Sequence, residues 1–340
     1  QFYNVILMPK AHFMRYVLIT GATDGIGKQL AYELASNVEE NFVIVHGRSR
    51  QKCEETIGWL LSGQHRIGHN SLPAAAGNSH SNVDFVTADF SKLAEVAQMC
   101  EEIRLRFPKL NGIVSCASVL PSRRTKSHDG LELTIQVNHL AHVLLWTDLL
   151  PLLEQNSPSR LLTVGSMLHN FCSIDWNDLM CERSVYDKFR QYSRSMLMNH
   201  LATLYIHRLL FKHKKQFQVT CNVVDAEQHI EKRMELCVVK NNDTATLNHH
   251  LSTSDSCLYQ HTNAIDTLVR LAERKEFNGI SGKYFDANGK EIKPGADTSD
   301  VRVQDKLWIE SSLICNAILG RKTATESTIE NSFKYATIFQ

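Results

Sequence analysis

The stretch VLITGATDGIG, Val17 to Gly27, constrains the fold more than any other part of the chain. An apolar, β-branched run breaks into three closely spaced glycines and then into a helical pattern. Thr20 ends a buried strand. Gly21, Gly25 and Gly27 let the backbone turn tightly and approach a bound anion with no Cβ in the way. The helix from about Ile26 to Leu34 aims its free N–H groups and positive dipole end at the same point. A plain tight turn would need the glycines but not a strand before them and a helix after. With both flanks present, the stretch reads as a cradle for the pyrophosphate of a dinucleotide.

Downstream of the cradle the chain repeats the same alternation. Phe42 to His46 is a second buried strand, so strand, helix and strand fall within one parallel βαβ unit. Beyond it stands His46-Gly47-Arg48-Ser49-Arg50, where such a fold meets the adenosine ribose. A carboxylate there would accept from the 2′-hydroxyl of NAD, whereas Arg48 suits the 2′-phosphate of NADP; the alternative is a solvated surface arginine. Val83 to Thr87 is a third strand. Asp89 just after it is placed either to accept from the adenine amino group or to begin the next helix, from Ser91 to Phe107. A fourth strand, Gly112 to Cys116, ends in Ser115-Cys116-Ala117-Ser118. A long helical region from about Leu131 to Leu153 carries Asn138 among apolar neighbours, where a buried amide must find partners.

Arg160 to Val164 is a fifth strand that delivers Gly165-Ser166 to its carboxyl end, the edge where ligands sit in an open parallel sheet. Tyr186 to about Leu210 is helical and contains Tyr192. A sixth strand (Gln218–Val224), a helix (258–275), a seventh strand (Gly279–Phe285) and a last helix (Asp305–Leu319) complete the pattern. The expectation is one α/β domain, a doubly wound parallel sheet of the Rossmann kind, over residues 15–320. Residues 1–14 form an N-terminal extension, 62–81 a polar surface insertion, 225–256 an irregular substrate lid and 321–340 a loose tail.

Composition excludes several classes of function. Of 340 residues 43% are apolar and 21% charged, which is ordinary for a folded globular protein, and a net charge of +1 gives no pull toward nucleic acid. Nine scattered cysteines, odd in number and without a Cys-x-x-Cys pair, argue against a disulfide framework or a thiolate metal site. His65, His69 and His80 have no carboxylate or cysteine beside them, so no metal is expected. A reducing compartment follows, cytoplasmic or on the cytosolic face of a membrane. No window holds the roughly 20 apolar residues that a membrane span requires, and peripheral membrane attachment stays open. Because residue 1 is Gln, a preceding targeting segment is also left open.

Gly21-x-x-x-Gly25-x-Gly27, the strand-ending Ser166 and Tyr192 on the next helix together resemble the short-chain dehydrogenase/reductase family. Asn138-His-Leu-Ala-His142, the interval from Ser166 to Tyr192, and Ser281-Gly-Lys-Tyr-Phe285 followed by Lys306-Leu-Trp308 are similar to its retinol-dehydrogenase-like branch, over roughly residues 15 to 318. The resemblance implies hydride transfer between NADP(H) and a small lipophilic alcohol or carbonyl. Tyr192 would be the general acid or base, Ser166 would hydrogen-bond the substrate oxygen, and Asn138 would hold the helix and a water. The implied cofactor contacts are Gly21, Thr23, Gly25, Ile26, Gly27, Arg48, Asp89 and Ala117. On the residues alone, Ser166 also reads as a hydroxyl capping the next turn, and Tyr192 as an amphipathic core tyrosine.

Three positions depart from the family pattern. Four residues after the tyrosine the family has a lysine that lowers the phenol's pKa and binds the nicotinamide ribose; here stands Met196. Lys188, one turn earlier on the helix, or a register with Tyr186 and Arg190, would be substitutes. Ser115 to Ser118 replaces Asn-Asn-Ala-Gly, which is expected to weaken a turn lining the cofactor. Asp225-Ala226 replaces Pro-Gly and is expected to bring an acid near the phosphates. The sequence therefore supports an oxidoreductase with impaired catalysis, or an inactive member of the fold that binds nucleotide or a partner.

Overall fold

Among the described residues, alternation of apolar strands and amphipathic helices produces seven parallel strands in a single sheet. They are β1 (Arg15–Thr20), β2 (Asn41–Gly47), β3 (Val83–Thr87), β4 (Leu110–Ser115), β5 (Ser159–Gly165), β6 (Val219–Asp225) and β7 (Lys283–Phe285), in the order β3-β2-β1-β4-β5-β6-β7. The computed structural model describes residues 14–62, 81–214, 218–226 and 262–321. The expected extension, insertion, lid and tail therefore lie outside the described residues, apart from their edges.

The inner strands β2, β4, β5 and β6 are buried along nearly their whole length because helices cover both faces of the sheet, whereas the edge strand β3 is only partly buried. In β1, Leu18 packs under α3 (Leu93–Arg106), α5 (Ala141–Gln155), α6 (Lys188–Lys212) and the C-terminal α8 (Val301–Leu319). Its neighbours Val17 and Ile19 point the other way, under α1 (Gly25–Ser36) and α7 (Thr262–Glu273). A short α2 (Arg50–Ser62) connects β2 to the region before β3. Each side chain buried in this way, Leu18 or Ile19 at 0% exposure, contributes about 1.5–3 kcal/mol. The last helix docks through Leu307, Trp308 and Cys315, with Trp308 stacked on Tyr205 at 4.8 Å between ring centroids.

Strand order reverses direction at β1, whose neighbours are β2 on one side and β4 on the other. The connections leaving β1 and β4 consequently diverge, and a crevice opens at their carboxyl ends. One departure from sequence expectation lies beside that crevice. The helical region expected over 131–153 is helical from Leu133 to Gln155, but it is not α-helical throughout: α4 (Leu133–Ile135) passes into α5 through a π-helical turn, Gln136–Leu140. Such single wide turns are rare and concentrate at functional sites. Asn138 is at its centre.

Candidate active site

Thr20, the last residue of β1, holds the cradle together. Its hydroxyl oxygen accepts the N–H groups of Cys116 (2.9 Å) and Ala117 (3.0 Å), which ties the turn after β4 to the start of the glycine loop. The approach is so close that a Cβ on Gly21 would lie 2.8 Å from Ala117 Cα, and Gly21 has φ +65°. A Cβ on Gly27 would stand 2.6 Å from the Gly21 carbonyl oxygen. Gly25, at φ +52°, would meet nothing within 4 Å, so its bare Cα borders open space. Asp24 caps α1 by accepting the Gly25 N–H at 2.8 Å. Gly21→Ala should therefore destabilise the fold by about 1–3 kcal/mol through strain and backbone collision. A urea midpoint unchanged from wild type would show that this contact does not select glycine.

The segment Ser115 to Ser118, expected to weaken a turn lining the cofactor, is tied to its neighbours by side-chain bonds. Thr20 holds its two central N–H groups, and Ser115 Oγ accepts from Trp146 Nε1 at 2.9 Å. Asp225 also behaves otherwise than expected. It is 2% exposed and accepts from the Tyr284 hydroxyl at 3.2 Å, so Ala226, not the carboxylate, borders the crevice.

That crevice is a cavity of about 770 Å³, large enough for a dinucleotide. Gly21, Thr23, Gly25, Ile26, Gly27, Arg48, Asp89 and Ala117 all line it. Asp89 meets both of its sequence readings, since it faces the cavity and also accepts the Ser91 N–H at 2.9 Å. Arg48 is exposed at the end of β2. Lys52, one helical turn later, lines the same end, and neither cation has a carboxylate partner among the described residues. Lys52 was legible as the third cation of Arg48-Ser49-Arg50-Gln51-Lys52. Lys126 and His128 reach the cavity from the loop after β4, and His128 Nε2 lies 3.8 Å from Asp89 Oδ2. No sequence signal pointed to that loop.

Beneath the cradle, His46 accepts the Gly21 N–H on Nδ1 (3.2 Å) and donates from Nε2 to the Ala88 carbonyl (3.1 Å). Burial holds its pKa at about 4 despite that last bond. The ring stays neutral, in the one tautomer that serves both partners.

At the other end of the cavity Tyr192 is half-buried and lines the wall, whereas Tyr186 precedes α6 and donates to the Pro121 carbonyl at 3.3 Å. Asn138 is fully buried. Its Oδ1 accepts the Val119 N–H (2.7 Å), and its Nδ2 donates to the Val119 carbonyl (3.1 Å) and to Ser195 Oγ (3.0 Å). Ser195 in turn donates to the Tyr192 carbonyl at 2.7 Å. Asn138 and Tyr192 are thus joined through one side chain. The Asn138 carbonyl accepts from His142 Nδ1 and from Asn199 Nδ2, each at 2.8 Å, so protein donors occupy both of its lone pairs. Ser166, next to the cavity-lining Gly165, is fully buried, and its oxygen accepts the Leu168 N–H at 3.1 Å, capping the 3₁₀ turn Met167–Phe171.

Met196 is 4% exposed, one turn beyond Tyr192. Lys188 opens α6 with its ammonium over the Phe189 ring, 5.0 Å from the centroid. Among the described residues no group of three or more His, Cys, Asp or Glu is placed to hold a metal ion.

A family model described as short chain dehydrogenase matches residues 15–176. Retinol dehydrogenase 14 of Mus musculus is 32% identical over 300 residues, covering 86% of this chain and 83% of that protein. Among solved structures, an uncharacterized protein from Mycobacterium Paratuberculosis superposes with a TM-score of 0.64 at 19% identity, covering 89% of this chain and 94% of that one. A short chain dehydrogenase from Shigella flexneri, complexed with NADP, gives 0.53 at 17% identity, covering 82% and 99%. At these identities the structural likeness is one of fold.

Proposed function

The chain belongs to the short-chain dehydrogenase/reductase family, in its retinol-dehydrogenase-like branch, and from that premise we propose that it binds NADP(H) and acts as an oxidoreductase on a lipophilic alcohol or carbonyl. One observation carries this reading: the eight expected cofactor contacts surround a single cavity whose far wall carries Tyr192. The glycine cradle fits a pyrophosphate, because the space beside Gly25 is open and the α1 N-terminus faces it. Arg48 and Lys52 fit the 2′-phosphate. When bound, the nicotinamide ring supplies or receives the hydride.

The rest is done by this chain's own residues. Tyr192 gives a proton to the substrate oxygen during reduction and takes it back during oxidation. Ser166 hydrogen-bonds that oxygen, and Asn138 holds the helix on which the phenol is mounted. The name retinol dehydrogenase 14 on the relative from Mus musculus supports a lipophilic substrate for this chain. No helix among the described residues is long and apolar enough to cross a membrane. We place the protein inside the cell, in the cytoplasm or against the cytosolic face of a membrane, with no nucleic-acid partner.

A second reading is favoured by one observation, the buried Met196 where the family has lysine. On that reading the chain binds nucleotide and acts through binding, not turnover. Titrating NADPH while following tryptophan fluorescence, then measuring single-turnover oxidation with retinoid, steroid and simple aldehydes, separates the two. Saturable binding with turnover supports the oxidoreductase, saturable binding without turnover the second reading, and absent binding neither. Arg48→Ala supplies a finer check. Charge-assisted hydrogen bonds contribute about 1.5–3 kcal/mol, so NADPH should bind about ten- to a hundredfold more weakly. NADH should be little affected, and equal losses would contradict a 2′-phosphate contact.

A further inference from the structure

We infer that His142 is a positioning residue through which the occupied nucleotide cradle fixes the helix that carries Tyr192, an inference that rests on the nucleotide-binding reading above. Hydrogen-bond geometry leaves its ring one arrangement. Thr20 Oγ1 already accepts two backbone N–H groups, and its own proton is directed to His142 Nε2, 3.0 Å away. Nε2 must then carry the lone pair. The ring proton consequently sits on Nδ1, and that is the nitrogen 2.8 Å from the Asn138 carbonyl oxygen. Two partners from opposite sides demand the same tautomer.

The ring is held in that orientation by apolar neighbours. It meets the Phe90 ring edge-on at 5.4 Å and stacks parallel to Trp146 at 5.8 Å, and His142 is 1% exposed. A side chain so enclosed cannot swing away from either partner without disturbing the packing on both sides.

From His142 the path runs in both directions without a gap. Toward the cofactor it reaches Thr20, and so Cys116 and Ala117, whose residues line the cavity. Toward the reaction centre it reaches Asn138, then Ser195, then the carbonyl of Tyr192. A dinucleotide lying against Gly21 and Ala117 would displace backbone that Thr20 holds. The displacement is passed on through bonds of 3.0 Å or less to the turn bearing the phenol. His142 touches neither cofactor nor substrate, so its effect is on geometry alone.

Hydrogen exchange with and without saturating NADPH tests this. In wild type, NADPH should slow exchange severalfold both in the glycine loop, residues 21–27, and at the amides of residues 190–196. In His142→Phe, which keeps the ring between Phe90 and Trp146 but removes both polar bonds, the loop should still be protected and the 190–196 slowing should be lost. Thr20→Val, which also releases the Cys116 and Ala117 N–H groups, should lose the 190–196 slowing too, and Thr20→Ser, which keeps the hydroxyl, should retain it. Undiminished slowing at 190–196 in His142→Phe overturns the inference, as does equal loss in Thr20→Ser and Thr20→Val. If His142→Phe does not fold, the Thr20 pair decides. Wild-type protein that shows no saturable NADPH binding overturns the nucleotide reading itself, and the coupling with it.

Discussion

Acidification from pH 7 to pH 5 should strip the protein of several kcal/mol of stability, well before its ordinary carboxylates titrate. The cause is a set of histidines buried as neutral rings. Burial lowers the pKa of His46, His139 and His142 to about 4 and that of His200 to about 3. In the unfolded chain each returns to about 6.5. Between those values the unfolded state binds protons that the folded state refuses, so the free energy of unfolding rises with pH and falls on acidification. Stability is intact above about pH 6.5 and is lost progressively down to about pH 4, where the folded rings also charge. By pH 5 each ring costs about 2 kcal/mol. Four such rings weigh against a typical total of about 5–15 kcal/mol.

Urea midpoints at pH 7, 6 and 5 read this directly, and a flat profile would mean that the rings are protonated in the native protein. His200 sharpens the test. It is 1% exposed, packed against the His169 and Tyr284 rings, and neither of its nitrogens has a hydrogen-bond partner among the described residues. His200→Phe removes an unsatisfied buried group, so stability at pH 7 should hold or improve. The acid slope should flatten by one proton's share.

These histidines also mark where sequence reasoning stops. The cradle is legible because its signals are local: a β-branched run, glycines at fixed intervals and a helical pattern lie within a dozen residues of one another. Arg48 is legible for the same reason, standing directly after a strand. His142 enters only as part of a resemblance, because its partner Thr20 is 122 positions away in the chain. His46 reads as the end of a buried strand, and nothing nearby shows that Gly21 and Ala88 converge on it. The π turn at Gln136–Leu140 has no signature in apolar spacing, which reads simply as helix there. Asp225 defeats the sequence reading because strand alternation gives the side of the sheet for a residue but not the hydroxyl waiting on that side, which here is Tyr284. For Ser166 the cap on the next turn is expected from the residues, and the structure contains it.

Met196→Lys should raise single-turnover oxidation of NADPH at least about a hundredfold. General acid–base catalysis contributes roughly 10²–10⁴ in rate and works best when the group's pKa lies near the working pH, whereas an ordinary phenol titrates near 10. A cation about 4 Å from a phenolate contributes on the order of 4 kcal/mol at an effective dielectric of 20, enough to move that titration toward neutrality. Position 196 is one helical turn past Tyr192, and side chains four apart share a helix face. Methionine there offers neither charge nor donor. Since Met196 is 4% exposed, a lysine must extend its ammonium to the cavity, or its burial will cost stability. Wild-type folding together with faster turnover therefore indicates that the ammonium has reached the cavity. The Asn138 carbonyl already takes donors from His142 and Asn199, so the new cation would act on the phenol by its charge, not by joining that carbonyl. The pH optimum for reduction should fall with the variant, and adding Tyr192→Phe should erase the gain. Ordinary turnover by the wild-type protein, abolished by Tyr192→Phe alone, would mean that the phenol works without the lysine and that Met196 is no handicap.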